Sequence, residues 1–169
     1  METVYLKGQL CHTYGTLPRI GDKAPCFTLV SSDMKEITCV DFPGKNIILN
    51  IFPSLDTGVC ATSVRRFNVI ASNFKNTVLI CVSMDLPFAA SRFCTTEGIS
   101  NIIVASAFRS QMFAQKYGVQ IVDGLLAGLL ARSVVVIDKN LKVVYTEMVK
   151  EITTEPNYDA VVAQIAKME

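Results

Sequence analysis

The apolar positions of this chain follow two rhythms. Residues 46–52, 78–84, 102–105 and 133–137 are short runs dominated by isoleucine, leucine and valine. Runs of this length predict strands covered on both faces. Between them the period lengthens. Cys60, Val64, Phe67, Ala71 and Phe74 recur at alternating spacings of four and three, which is one stripe of a helix. Asp85-Leu86-Pro87 opens a second predicted helix, with the proline suited to its first turn and Gly98 to its end. Residues 108–117 predict a third, ended by Gly118. A last helix starts near Pro156 and runs through Tyr158, Val161, Val162 and Ile165.

Ahead of the first run, residues 3–6 and 9–14 flank Lys7-Gly8 and predict a hairpin. Residues 27–30 and 37–40 read as short extended pieces, and Phe42-Pro43-Gly44-Lys45 as a turn. Asp138-Lys139-Asn140 turns the fourth run into residues 142–148, a second hairpin. This order predicts one α/β domain over residues 1–169. It is a three-layer, thioredoxin-like fold with a mixed central sheet and an N-terminal β-hairpin extension. The fold class alone names no chemistry.

Composition narrows the partners. Of 169 residues, 16 are Lys or Arg and 15 are Asp or Glu, so the formal charge is +1. That balance argues against nucleic acid or an anionic membrane as the main partner. Residues 1–7 lack the basic segment and apolar run of a signal peptide. The apolar run 125–131 contains Gly128 and ends at Arg132, too short for a membrane span. A soluble cytoplasmic protein is the expectation.

The six cysteines are Cys11, Cys26, Cys39, Cys60, Cys81 and Cys94. A disulfide framework suits small secreted chains rather than one of this length. No C-x-x-C is present and His12 is the sole histidine, so a zinc site is not expected. The simplest reading of most of these cysteines is as small buried apolar residues.

Phe52-Pro53-Ser54-Leu55-Asp56-Thr57-Gly58-Val59-Cys60 lies where a buried strand hands over to a helix, the end of an α/β sheet that favours reactive groups. Cys60 falls in the first helical turn. Free backbone N–H groups and the helix dipole favour negative charge there and lower a thiol pKa. Thr57 can accept from the helix N-terminus or turn its hydroxyl toward the sulfur. Pro53 ends the strand and can shield the sulfur from water. Each has a plain structural alternative: an N-cap, a strand stop and a core residue.

The spacing Pro53-x-x-x-Thr57-x-x-Cys60 resembles the active-site signature of peroxiredoxins, and residues 50–60 resemble the thiol peroxidase subfamily. So do residues 85–94, 131–138 and 151–156, four blocks in order over nearly the whole chain. Where the family pattern has a proline after Asp123-Gly124, this chain has Leu125. The resemblance implies a peroxidase that reduces hydrogen peroxide and alkyl hydroperoxides. It implies that Cys60 is the peroxidatic cysteine, that Thr57 and Arg132 hold the thiolate and position the peroxide, and that Pro53 shields it. Cys94 would be the resolving cysteine in the same chain. A homodimer, reduction by thioredoxin and no cofactor are implied with it.

Other features remain open to two readings. Phe52, Leu55, Phe88, Phe93 and residues 125–130 either line an apolar approach favouring organic hydroperoxides or are core and interface. Cys81 and Cys39 read as packing residues, Cys11 and Cys26 as more exposed thiols without a catalytic role, and His12 as structural. Two other functions compete: a thioredoxin-like thiol–disulfide oxidoreductase, disfavoured by the missing C-x-x-C, and a peroxide sensor that forms the 60–94 bond without turnover.

Overall fold

The computed structural model describes residues 1–169. Its centre is a seven-stranded mixed sheet. The strands are β3 (Thr28–Ser31), β4 (Glu36–Thr38), β5 (Asn46–Ile51), β6 (Thr77–Ser83), β7 (Ile103–Ser106), β8 (Ser133–Ile137) and β9 (Val143–Met148), in the order β4-β3-β7-β6-β5-β8-β9. β5, β6 and β7 pair in parallel, and the outer pairings are antiparallel. A separate hairpin, β1 (Thr3–Leu6) and β2 (Gln9–His12), precedes it.

Alternation along the central strands builds two cores. Ile47, Leu49 and Ile51 of β5 join Val135 and Ile137 of β8 on one face. Ile48, Val134 and Val136 point to the other. The first face is covered by α3 (Gln111–Lys116) through Phe113 and Ala114, with Phe27 edge-on to Phe113. The second is covered by α1 (Gly58–Ala71), α2 (Pro87–Glu97) and α4 (Tyr158–Ala166). Val64 and Phe67 of α1 and Val161 and Ile165 of α4 supply the apolar contacts there. Helices on both sides of the sheet make the three layers the sequence predicts. Burial of β5 and β8 on both faces accounts for their near-continuous apolar runs.

The helix ends follow local chemistry. Pro87 opens α2, and Gly98 closes it in the left-handed region at φ 65°. α3 is shorter than the predicted 108–117: Phe108-Arg109-Ser110 forms a turn held by Ser106 and Ala107, and the helix starts after Ser110. After α3, Gly118 has φ +67°, and a Cβ there would stand 2.1 Å from the Thr16 carbonyl oxygen, so only glycine fits. α1 ends at Ala71, leaving Phe74 beyond the helix but still packed on the second core.

Candidate active site

β5 ends at Ile51, and the chain turns through Phe52–Thr57 into α1. Three pairings converge at this edge. Ile51 is opposite Ser133, so Arg132, one residue before β8, stands beside the loop leading to α1. Ser133 is opposite Met148, so the segment after β9 arrives at the same edge. Tyr5 of β1 bridges Glu151, which brings the N-terminal hairpin there too.

Cys60 is the third residue of α1 and is fully buried. Arg132 is also buried, and its Nη2 donates to Cys60 Sγ at 3.2 Å. Its Nε donates to the Ile152 carbonyl at 2.8 Å, and its Nη1 has no partner. The sulfur thus faces a guanidinium from one side and sits in a helical first turn. A guanidinium donor and a helix N-terminus both attract an anion brought to this place. The unpaired Nη1 leaves a charged donor for an oxygen atom brought to the same place.

Thr57 is the N-cap residue, but its hydroxyl neither caps the helix nor meets the sulfur. It donates to the Ser54 carbonyl at 3.3 Å. Both expected contacts of Thr57 are therefore absent, because the Ser54–Thr57 turn satisfies the hydroxyl locally. Pro53 and Thr57 do line a cavity of about 380 Å³ together with Gly58, Leu126, Leu129 and Arg132. Leu6 at the end of β1, Lys7 of the hairpin turn, Val59, Ile152 and Thr153 complete its wall.

The apolar approach differs from the predicted one. Leu126 and Leu129 come from the expected segment, but Phe52 and Leu55 are core residues, Phe88 is exposed, and Phe93 lines a different groove. Sequence periodicity reports burial but not which cavity a side chain enters.

Cys94 lies on α2 and is half-buried against the second core. Burial raises its thiol pKa, and the neighbouring Ser32 hydroxyl offsets part of this. Cys60 and Cys94 are both free thiols. Their helices flank a groove spanned by Arg65, which grips Glu97 with Nε at 2.6 Å and Nη2 at 2.9 Å.

Residues beyond the sequence-based set support this edge. The Asp85 carboxylate accepts from Ser54 Oγ at 2.8 Å, the Leu55 N–H at 2.7 Å and Ser83 Oγ at 2.7 Å, tying the loop before α1 to the strand before α2. The Glu151 carboxylate accepts from the Lys7 and Gly8 N–H groups and from Thr153. Asn50 is buried on β5 and donates through Nδ2 to Ser63 Oγ at 3.3 Å, while Ser63 donates to the Cys60 carbonyl at 2.8 Å. Asp85, two residues before the first residue of α2, is the one of these that the sequence marks, in Asp85-Leu86-Pro87; the other partners are set by tertiary pairing.

The remaining cysteines divide differently from expectation. Cys81 is core, and burial pushes its thiol up to about 12. Cys11 is not exposed but buried, packed with Val4, Ile121 and Ile152. Cys26 and Cys39 are neither a free thiol nor a simple packing residue: they form a disulfide. His12 pairs through Nδ1 with Asp123 at 2.6 Å, a link between β2 and the loop before Leu125.

The redoxin family model matches residues 19–162. The chain is 50% identical to a thiol peroxidase of Corynebacterium glutamicum over 165 residues, covering 98% of this chain and 99% of that protein. It is 52% identical to a thiol peroxidase of Mycobacterium bovis, with the same coverage. A peroxiredoxin-like protein from Aquifex aeolicus superposes with a TM-score of 0.95 at 42% identity, covering 100% of this chain and 98% of that one. A thiol peroxidase from Chromobacterium violaceum, 22% identical, shares the fold with a TM-score of 0.90 over 98% of this chain and 95% of that one. With a buried cysteine facing an arginine at the strand-to-helix edge of a thioredoxin-like sheet, and these relatives over nearly its full length, the chain belongs to the redoxin family and is a peroxiredoxin-type oxidoreductase of the thiol peroxidase group.

Proposed function

We propose that Cys60 is the peroxidatic cysteine, Cys94 the resolving cysteine, and Arg132, Thr57 and Pro53 the groups around the reacting peroxide. The observation that carries this reading is the 3.2 Å bond from Arg132 Nη2 to Cys60 Sγ, with Nη1 of the same guanidinium unpaired. The Cys60 thiolate attacks the terminal peroxide oxygen, and the O–O bond breaks. Arg132 donates to the charge developing on the oxygens, and the leaving alkoxide takes a proton to become an alcohol, or water from hydrogen peroxide. Cys60 is left as sulfenic acid. Thr57 lines the cavity with its hydroxyl held by the Ser54 carbonyl, and Pro53 presents a wall without an N–H donor.

Cys94 then loses its proton and attacks the Cys60 sulfenic acid as a thiolate, the proton leaving with the hydroxyl as water. A disulfide forms. Both cysteines are anchored in helices, and a disulfide requires Cα atoms within about 7 Å. The Arg65–Glu97 pair across the groove must give way as the first turn of α1 and the end of α2 loosen. A dithiol protein of the thioredoxin kind returns both thiols.

The mainly apolar wall of Leu6, Leu126, Leu129 and Ile152 supports organic hydroperoxides as substrates alongside hydrogen peroxide. Exposed Leu86, Phe88, Phe108 and Met112 follow the ends of the neighbouring strands β6 and β7, and this apolar face supports a homodimer. Residues 1–169 work as one domain, located in the cytoplasm. The deciding experiment is peroxide consumption with thioredoxin, thioredoxin reductase and NADPH. Cys60→Ser is expected to lose turnover, and Cys94→Ser to form sulfenic acid without recycling. Full turnover in Cys60→Ser overturns the assignment.

A further inference from the structure

Two sulfur systems lie on opposite faces of the sheet. Cys60, Cys81 and Cys94 belong to the core under α1, α2 and α4. Cys39 belongs to the core on the α3 face, and it is bonded to Cys26 with their Cα atoms 5.4 Å apart. We propose that Cys26–Cys39 is a persistent structural disulfide, closed to the dithiol reductant that recycles the peroxidase. The reductant's identity rests on the function proposed above; the disulfide's insulation does not.

Separation comes first. Thiol–disulfide exchange needs direct approach of an attacking sulfur to the bond. The strands of the sheet stand between Cys39 and the Cys60–Cys94 side, so the two systems cannot exchange within one chain. The pair therefore takes no electrons from, and gives none to, Cys60.

Protection from outside follows from unequal burial. Cys39 is 3% exposed, whereas Cys26 is exposed and lines a surface depression of about 440 Å³ beside Phe108 and Met112. An incoming thiolate reaches only the Cys26 sulfur. It would form a mixed disulfide with Cys26 and expel Cys39 as a thiolate into the apolar core. Burial disfavours that anion, and a poorly stabilised leaving thiolate departs slowly.

Reclosure is favoured as well. Thr28 of β3 is opposite Thr38 of β4, so the hairpin register holds the two cysteines just beyond its open end. If the bond is opened, the thiols stay adjacent. Its formation balances with a peroxide as oxidant: two thiols give up two electrons and two protons, and a hydroperoxide becomes an alcohol and water.

The test uses the full chain in its native state. The oxidised protein is incubated with thioredoxin, reductase and NADPH, quenched with N-ethylmaleimide and mapped by peptide mass. The 26–39 link is expected to remain while Cys60 and Cys94 are labelled. Labelling of Cys26 and Cys39 under these conditions overturns the proposal, as does an unlinked pair that peroxide fails to join. Denaturation with a strong reductant should then label all six cysteines. A Cys26→Ser, Cys39→Ser double variant should keep kcat/KM within about twofold of the parent. A loss of about tenfold or more would place the pair in the cycle and overturn it. If Cys60 and Cys94 instead stay unlabelled while 26–39 remains linked, the fault lies with the proposed catalytic pair alone.

Discussion

The guanidinium of Arg132 is 3.2 Å from the sulfur of Cys60, and both side chains are withdrawn from water. A buried cation is costly unless partners compensate for lost hydration. Arg132 has one carbonyl, that of Ile152, and one unpaired nitrogen. The Cys60 sulfur is its remaining partner, and an anion formed at this place would meet a guanidinium that still has a donor to give. Arg132→Met is expected to lower kcat/KM by about 10²–10³-fold. It should also slow alkylation of Cys60 by iodoacetamide at neutral pH. Arg132→Lys should recover only part of either, because an ammonium cannot serve Ile152 and the sulfur with a planar fork. Unchanged alkylation in Arg132→Met would remove the electrostatic role.

The resolving role proposed for Cys94 predicts a pH dependence of the second step. Burial raises its pKa, so its thiol form dominates near neutrality. The attacking species is the thiolate, so disulfide formation should accelerate as pH rises through neutral and into the alkaline range. Stopped-flow kinetics following a single equivalent of peroxide would show this as a rising rate of the resolving phase. A flat profile would mean that helix opening, not thiol ionisation, limits the step.

Glu151 predicts an acid weakness in the hairpin. Its carboxyl is held down to about 2 from an ordinary 4.5, first by Thr153 and then by the Lys7 and Gly8 N–H groups. A depressed carboxylate contributes stability above its unfolded value and loses it as pH falls through the folded one. The contribution should therefore fade between about 4.5 and about 2. Thermal melts across that window should show Tm falling more steeply in the parent than in Glu151→Gln. Parallel curves would contradict the role.

The 26–39 bond closes a ring around β3 and β4. Loops of this size give disulfides worth roughly 3 kcal/mol in the chain-entropy account. Cys26→Ser should lower stability by up to about that amount. Denaturant unfolding of the parent and the variant measures it. A variant as stable as the parent would show that β3–β4 pairing already orders this ring.

Much of the fold was legible because burial on two faces writes itself into continuous apolar runs. β5 and β8 are examples, and Pro87 with Gly98 marks α2 equally well. Cys60 was legible from its place at a strand-to-helix junction, whereas the weight given to Arg132 and Cys94 came from family resemblance. What escaped the sequence depends on pairings distant in the chain. Cys26 meets Cys39 through a hairpin register, Cys11 is buried by a loop over a hundred residues away, and Thr57 turns to Ser54 because of one local turn. The cavity wall escaped for the same reason: Leu6 and Ile152 are brought together only by the fold.

The attachment of the N-terminal hairpin bears on how this enzyme can be cut and recombined. The redoxin match begins at residue 19, after β1 and β2. Yet Tyr5 exchanges backbone hydrogen bonds with Lys150 and Ile152, and the Ile152 carbonyl holds Arg132. The first dozen residues are thus a distant bracket for the arginine beside Cys60. A chimera or truncation drawn at the family boundary would keep every proposed reacting group and still release the strut that aims one of them. Residues 1–12 therefore belong inside any transplantable unit of this catalyst.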